Sequence, residues 1–355
     1  MITWKRINLK NYTFPLVDEY KKEYINLEEG LPPGARLDKT CNAINSIKIN
    51  WSSIREDKGL GKDFISYVNE SYNSGISLYL EKNTVVDKPI MADFIMEKEN
   101  PAVVDKNIIV AQPGSQAVIV FQYSTDGEVE AFHNGFTEIY AKENSSLTII
   151  KIQRMNSLSH NFDTNVAYVK GGGRVNWITV ELGSQISGTN YTTYLDEESS
   201  QGYLSSIYMG DGERKMDMSY SMIHRGRRSI SHIEARGALM DNSRKVFRGN
   251  LDFRRGAKHA KGSEEEYVLL LDPTVKADSI PGLLCEEDDV EGEHAASAGQ
   301  INENQLFYLM SRGLREKEAE KLIIEGSLMP IVDKIPIESL RQIINGEIRR
   351  RFADA

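Results

Sequence analysis

From about Pro89 to Leu271 the chain is written in short runs of alternating apolar and polar residues separated by turns rich in Gly, Asn, Asp and Ser. The runs are Ala117–Phe121, Thr137–Ala141, Ser146–Ile152, Asn165–Val169, Val175–Leu182, Thr189–Leu195, Tyr203–Met209, Met216–Ile223, Ser229–Ala235, Lys245–Phe253 and Tyr267–Leu271. Many have the period of two that buries one face of a strand, and β-branched and aromatic residues are frequent in them. No convincing amphipathic helix interrupts the series, which excludes a doubly wound α/β fold, because that fold needs crossover helices. A sandwich and a β-solenoid remain, and this many strands without Greek-key pairing favour the solenoid. Stacked coils leave exposed edges at both ends. The N-terminal segment and the tail are natural covers.

The flanks have other periods. Residues 1–95 read as a mixed α/β capping domain. It has an aromatic and charged stretch from Asn11 to Glu29 that suggests a short helix, and a turn at Leu31-Pro32-Pro33-Gly34. In Cys41–Trp51, Ile44, Ile47, Ile49 and Trp51 alternate as strand or short helix. Lys62–Tyr72 has helical spacing (Phe64, Ile65, Val68, Tyr72), and Ile76–Leu80 reads as a strand. The β core is assigned to 96–299 and a helical domain to 300–355. In that tail, Asn302 is a candidate N-cap for Glu303–Arg312 and Gly313 a candidate C-cap. A second helix, Arg315–Glu325, carries Ala319, Leu322 and Ile323 and ends at Gly326. Pro330 and Pro336 bracket a linker. A third helix, Ile337–Phe352, carries Leu340, Ile343, Ile344, Ile348 and Phe352.

Composition narrows the partners. The chain has 355 residues, 40% hydrophobic and 27% charged, as in globular proteins. A net charge of -9 argues against nucleic acid as the main partner. The basic run Arg349-Arg350-Arg351 suits a helix C-terminus. No apolar stretch is long enough to span a membrane, and MITWKRINLK lacks a leader's apolar region, so the cytoplasm is the expected location. Two cysteines, Cys41 and Cys285, are too few for a disulfide framework or for a cluster held by this chain alone. Both read as structural.

Catalytic signatures are missing from the sequence. There is no GxSxG, HExxH or CxxC. Gly59-Leu60-Gly61-Lys62-Asp63 lacks the spacing and the hydroxyl of a P-loop and reads as a turn before a helix; Gly171-Gly172-Gly173 reads as a turn between strands. No nucleotide is expected to bind here. Of six histidines, His224 and His232 lie on neighbouring runs and could face one another across coils, but they read first as ordinary packed or surface residues. Arg225, Arg227, Arg228, Arg236, Arg244, Arg248, Arg254 and Arg255 invite pairing with carboxylates of adjacent coils. The best metal-ligand candidate is His294 with Glu293 and Glu291, in an acidic stretch read as a loop after the last coil.

The order Asp288-Asp289-Val290-Glu291-Gly292-Glu293-His294, then Gly299, Gln305-Leu306-Phe307-Tyr308-Leu309 and Ser311-Arg312-Gly313, resembles the signature of the SufB/SufD family. These are scaffold subunits of the SUF iron–sulfur cluster assembly machine. The likeness covers roughly the last two thirds of the chain. It implies a mainly β fold, a right-handed parallel β-helix with a helical C-terminal domain. SufB-type subunits carry an essential cysteine where this chain has Glu266, a second near Val275, and a glutamate where it has Ala295. SufD-type subunits lack that cysteine and keep the histidine, matched by His294, so the chain is similar to SufD.

The resemblance implies a non-catalytic scaffold that pairs with a SufB-type subunit and is driven by a SufC-type ABC ATPase docked on the tail. His294, with Glu293, is the expected ligand for iron or a transient iron–sulfur cluster shared with the partner. Leu306, Phe307, Tyr308 and Arg312 are the expected ATPase contacts. Two alternatives stay open. One is a single homodimeric scaffold of a minimal system. The other, more remote, is a carbohydrate-active β-helix enzyme, which usually needs carboxylates or Arg and Lys clustered in a groove of the coils.

Overall fold

Alternation of period two puts every second side chain of a strand on one face. In this chain that face turns inward around a closed lumen. The computed structural model describes residues 12–27, 29–39 and 59–351. Strands fall alternately into a nine-stranded and a ten-stranded sheet, and pairing along each is parallel except at the N-terminal ends. The result is a mainly β solenoid of about eight turns. Each turn contributes one strand to each sheet, as in Arg174–Glu181 of the first sheet and Ile186–Leu195 of the second. All eleven strand signals correspond to strands, usually a few residues longer than the apolar run. Strands Ile90–Met96 and Ala102–Ala111 were not separated by the sequence pattern.

The lumen is filled by apolar residues such as Phe94, Phe121, Ile149, Tyr208 and Phe253. Trp177, Tyr191, Tyr220 and Phe247 form an edge-to-face ladder through it, with ring centroids 5.2–5.4 Å apart. One corner of the solenoid repeats a left-handed residue at Asn83, Gly114, Asn144, Gly172, Ser199 and Arg228. From Gly114 to Arg228, each of these backbone N–H groups donates to a carbonyl of the next coil. At Gly172, φ is +65° and a Cβ would lie 2.3 Å from Asn144 Oδ1, so a side chain there would have to displace the Asn144 amide.

Both outer faces are covered, and the tail, expected to cover the end of the stack, lies on a face instead. Helix α1 (Lys62–Ser71) and the aromatic segment around Tyr12 and Phe14 pack on Phe132, Phe136 and Phe162 of the second sheet. Asn11–Glu29 is extended where described, not helical, with a two-residue strand at Ile25–Asn26. Its Tyr20 and Tyr24 insert into the core, and the Tyr24 hydroxyl donates to the Gly75 carbonyl at 2.9 Å. The Cys41–Trp51 signal, Cys41 and Phe352 lie outside the described residues.

Helices α2 (Glu303–Ser311), α3 (Glu316–Val332) and α4 (Glu338–Arg351) follow the last strand. α3 runs past Gly326 and through Pro330, contrary to the expected stop. Its continuing stripe of Ile324, Leu328, Ile331 and Val332 packs with α4 on Ile150, Ile178, Val180 and Ile207 of the first sheet, and this burial outweighs the weak helix formers. Leu322, expected on that face, is exposed. The basic run is used in ion pairs: Arg349 with Glu325, Arg350 with Glu347 and Arg351 with Asp211. No described helix is long and apolar enough to cross a membrane.

Candidate functional site at the open end of the lumen

The stretch read as an acidic loop is a strand, Val290–Gly299, and it pairs in parallel with Ala260–Leu270. Its composition hid this: Gly, Ala, Ser and Glu replace the β-branched residues of earlier coils. It is the last strand of the first sheet, and no described strand pairs with its far edge. Alternation then separates the two expected ligands. Val290 packs on the lumen core, and a Cβ on Gly292 would lie 2.8 Å from Leu283 and 3.1 Å from Phe253. His294, in phase with them, takes the lumen side at the open mouth. Glu293 takes the outer side with Glu291, which pairs with Lys261 at 2.8 Å. Both Glu293 and His294 are exposed, and they do not share a face.

The register partner of His294 is Glu264, and that of Ala296 is Glu266. Glu266 is fully buried and fully partnered. It accepts from Tyr208 Oη at 2.6 Å, from Lys245 Nζ at 2.5 Å and from Ser279 Oγ at 2.5 Å. Glu264 is 2% exposed, and neither carboxylate oxygen has a hydrogen-bond partner. Burial, then the neighbouring Glu266, pushes its carboxyl up to about 7. Sequence reasoning missed Glu264, which sits in an unremarkable Glu264-Glu265-Glu266 run.

Other candidates fall elsewhere. His224 and His232 do not face one another: His224 is buried in the lumen against Phe253, held by Ser229 and Ser231 at 2.8 Å each, and burial lowers it to about 4. His232 lies in the other sheet. Among the described residues, only His232, Glu234 and Glu265 bring three ligand atoms within 4.8 Å of one another. Glu234 there is already held by Lys334 at 2.5 Å and Arg236 at 2.7 Å. Cys285 is exposed rather than packed, on strand Gly282–Cys285 of the second sheet. Several arginines do bridge adjacent coils, as Arg225 with Asp196 at 2.9 Å and Arg248 with Asp217.

Beyond the mouth, α2 stands clear, with no buried residue. Asn302 Oδ1 caps it, accepting from the Asn304 and Gln305 amides at 3.0 and 3.1 Å. Phe307 is 73% exposed and Tyr308 55%, while Leu306 is half-buried. The Arg312 guanidinium lies 5.2 Å from the Tyr308 ring centroid. An apolar face this open on a well-formed helix suits a protein partner.

Comparison with known proteins gives the family. The family described as SUF system FeS cluster assembly, SufBD core domain, matches residues 94–327, about two thirds of the chain. The iron–sulfur cluster assembly protein SufD of Bacillus subtilis is 31% identical over 79% of this chain and 64% of its own length. A SufBD family protein of Staphylococcus saprophyticus is 28% identical over 81% of this chain and 64% of its own. The chain thus spans slightly under two thirds of these relatives. With the solenoid, the helical tail and residues 94–327 all in agreement, the chain belongs to the SufB/SufD core family of the SUF iron–sulfur cluster assembly system and is SufD-like within it.

Proposed function

We propose that this chain is a non-catalytic scaffold subunit that pairs edge to edge with a SufB-type subunit and presents His294 to iron or a nascent cluster at the junction. The single observation behind this is the open edge of Val290–Gly299, which carries His294 on its lumen side. Unpaired N–H and C=O groups along a sheet edge are a template for a partner strand. A partner seated there would bring its thiolates to the imidazole. One nitrogen ligand among sulfurs makes a looser site than four thiolates, which suits a cluster that must be passed on. The cluster is cargo, and no nucleotide role is assigned to this chain. A SufC-type ABC ATPase would grip α2 through Leu306, Phe307, Tyr308 and Arg312. A reducing cytoplasm is the compartment in which such thiol chemistry persists.

The test is to purify the chain through its own tag after co-expression with SufB-type and SufC-type subunits and to weigh the complex in its native state. A complex of all three is expected. A homodimer with ATPase alone would replace this reading with a single-scaffold one. His294→Ala should assemble and fold as the wild type does but yield little cluster, and a normal cluster yield would remove the ligand role.

A further inference from the structure

We propose that Glu264 is a second residue of this chain that holds the cationic cargo, acting beside His294 at the mouth of the lumen. The inference rests on the reading of His294 given above. Adjacent parallel strands lie about 4.8 Å apart, so residues in register present their side chains side by side on one face. Glu264 and His294 are such a pair, on the face that lines the lumen.

The state of the Glu264 side chain points to a ligand. A buried carboxylate is costly unless a cation or donors meet it. Glu266, two residues away, has three donors, whereas Glu264 has none. The nearest ammonium, Lys245, is committed to Glu266 and to Ser279 at 3.0 Å. Room for Glu264 comes from Gly249 across the lumen: a Cβ there would fall 2.5 Å from Glu264 Cγ and 2.6 Å from its Cδ. Glycine at 249 therefore admits the acid to the interior, one strand in from the last described strand of the first sheet. A carboxylate beside an imidazole is a donor set for a divalent first-row ion such as Fe(II). It also replaces Glu293, which alternation turns away.

The experiment is anaerobic binding of Co(II), a spectroscopic stand-in for Fe(II), to the full chain in complex with a SufB-type partner. Wild type is compared with Glu264→Gln, Glu264→Asp, His294→Ala and the outward-facing control Glu291→Gln. Affinity and the Co(II) ligand-field spectrum are both read. Glu264→Gln and His294→Ala should each weaken binding tenfold or more and change the spectrum. Glu264→Asp, which keeps the charge but withdraws it by one methylene, should also shift the spectrum, and it serves if Glu264→Gln fails to fold. Glu291→Gln should match wild type. Wild-type binding in both Glu264 variants with a loss in His294→Ala would overturn this inference alone. A loss in the Glu264 variants without one in His294→Ala would overturn their pairing. Wild-type binding in every variant would overturn the His294 reading too.

Discussion

Lys245 and Glu266 meet inside the lumen with neither side chain exposed, and removing one leaves the other as an unpaired buried charge. Lys245→Ala should therefore cost about 3–5 kcal/mol in denaturant unfolding, while the apolar pair Lys245→Met with Glu266→Leu should recover much of it. His133 and Asp105, 2.7 Å apart and fully buried, add a pH dependence. Burial works against both charges, but their mutual attraction, helped by Lys151 for Asp105 and by Asp163 and Asn161 for His133, outweighs it: His133 is raised and Asp105 lowered. The histidine's contribution is complete below its unfolded value of about 6.5 and is lost as pH rises through its folded value. The carboxylate's contribution is complete above about 3.9 and is lost as pH falls through its folded value. The stability difference between wild type and His133→Gln should thus be largest between about pH 4 and 6.5 and shrink on either side, as urea midpoints across pH would show. At this scale the sequence was a partial guide. His294 stood out by residue type, but its orientation relative to Glu293 depends on strand phase. Nothing in three successive glutamates tells that Glu266 is satisfied and Glu264 is not.

Among the elements, legibility followed the strength of the local signal. Runs such as Val175–Leu182 alternate strongly, and the strand Arg174–Glu181 lies over that run. Asn302 marked the start of α2 correctly because capping is a local interaction between a side chain and adjacent amides, and Gly313, at φ +98°, lies one residue past the C-cap Arg312. Asn302→Ala should cost that helix about 1 kcal/mol, seen as faster amide exchange over Glu303–Ser311 with the solenoid unaffected. Signals settled by tertiary contact were misread. Gly326 and Pro330 look like stops, yet packing of α3 on the first sheet carries the helix through both. Asn11–Glu29 suggested a helix by its aromatic and charged composition, yet where described it is an extended segment that plugs Tyr20 and Tyr24 into the core. Val290–Gly299 has too little β propensity to read as a strand, and it is held by its ladder to Ala260–Leu270.

At the scale of the molecule, the want of crossover helices excluded a doubly wound fold, and the number of strands without Greek-key pairing, together with the family resemblance, pointed to the solenoid. Its corner repeat, with a left-handed residue every 27 to 31 positions, escaped notice because Asn, Gly, Ser and Arg share that conformation without sharing chemistry. The proposed function makes the open edge the surface to test. Ser297 is exposed on its outer side, and a lysine there should blunt the edge as natural edge strands do. Ser297→Lys is expected to abolish co-purification with a SufB-type subunit and leave the unfolding midpoint unchanged; retained association would show that the subunits meet elsewhere.

The one-sided support of the last strand has a further consequence. In a linear stack, stability is close to a sum of nearest-neighbour terms, and a terminal unit has one neighbour where interior units have two. The chain therefore behaves like a zipper whose teeth open from the free end inward. His294 and Glu264 sit on its last two teeth in the first sheet. A subunit closing that end would add the missing neighbour, so that grip on the cargo and local order at the terminus would rise and fall together.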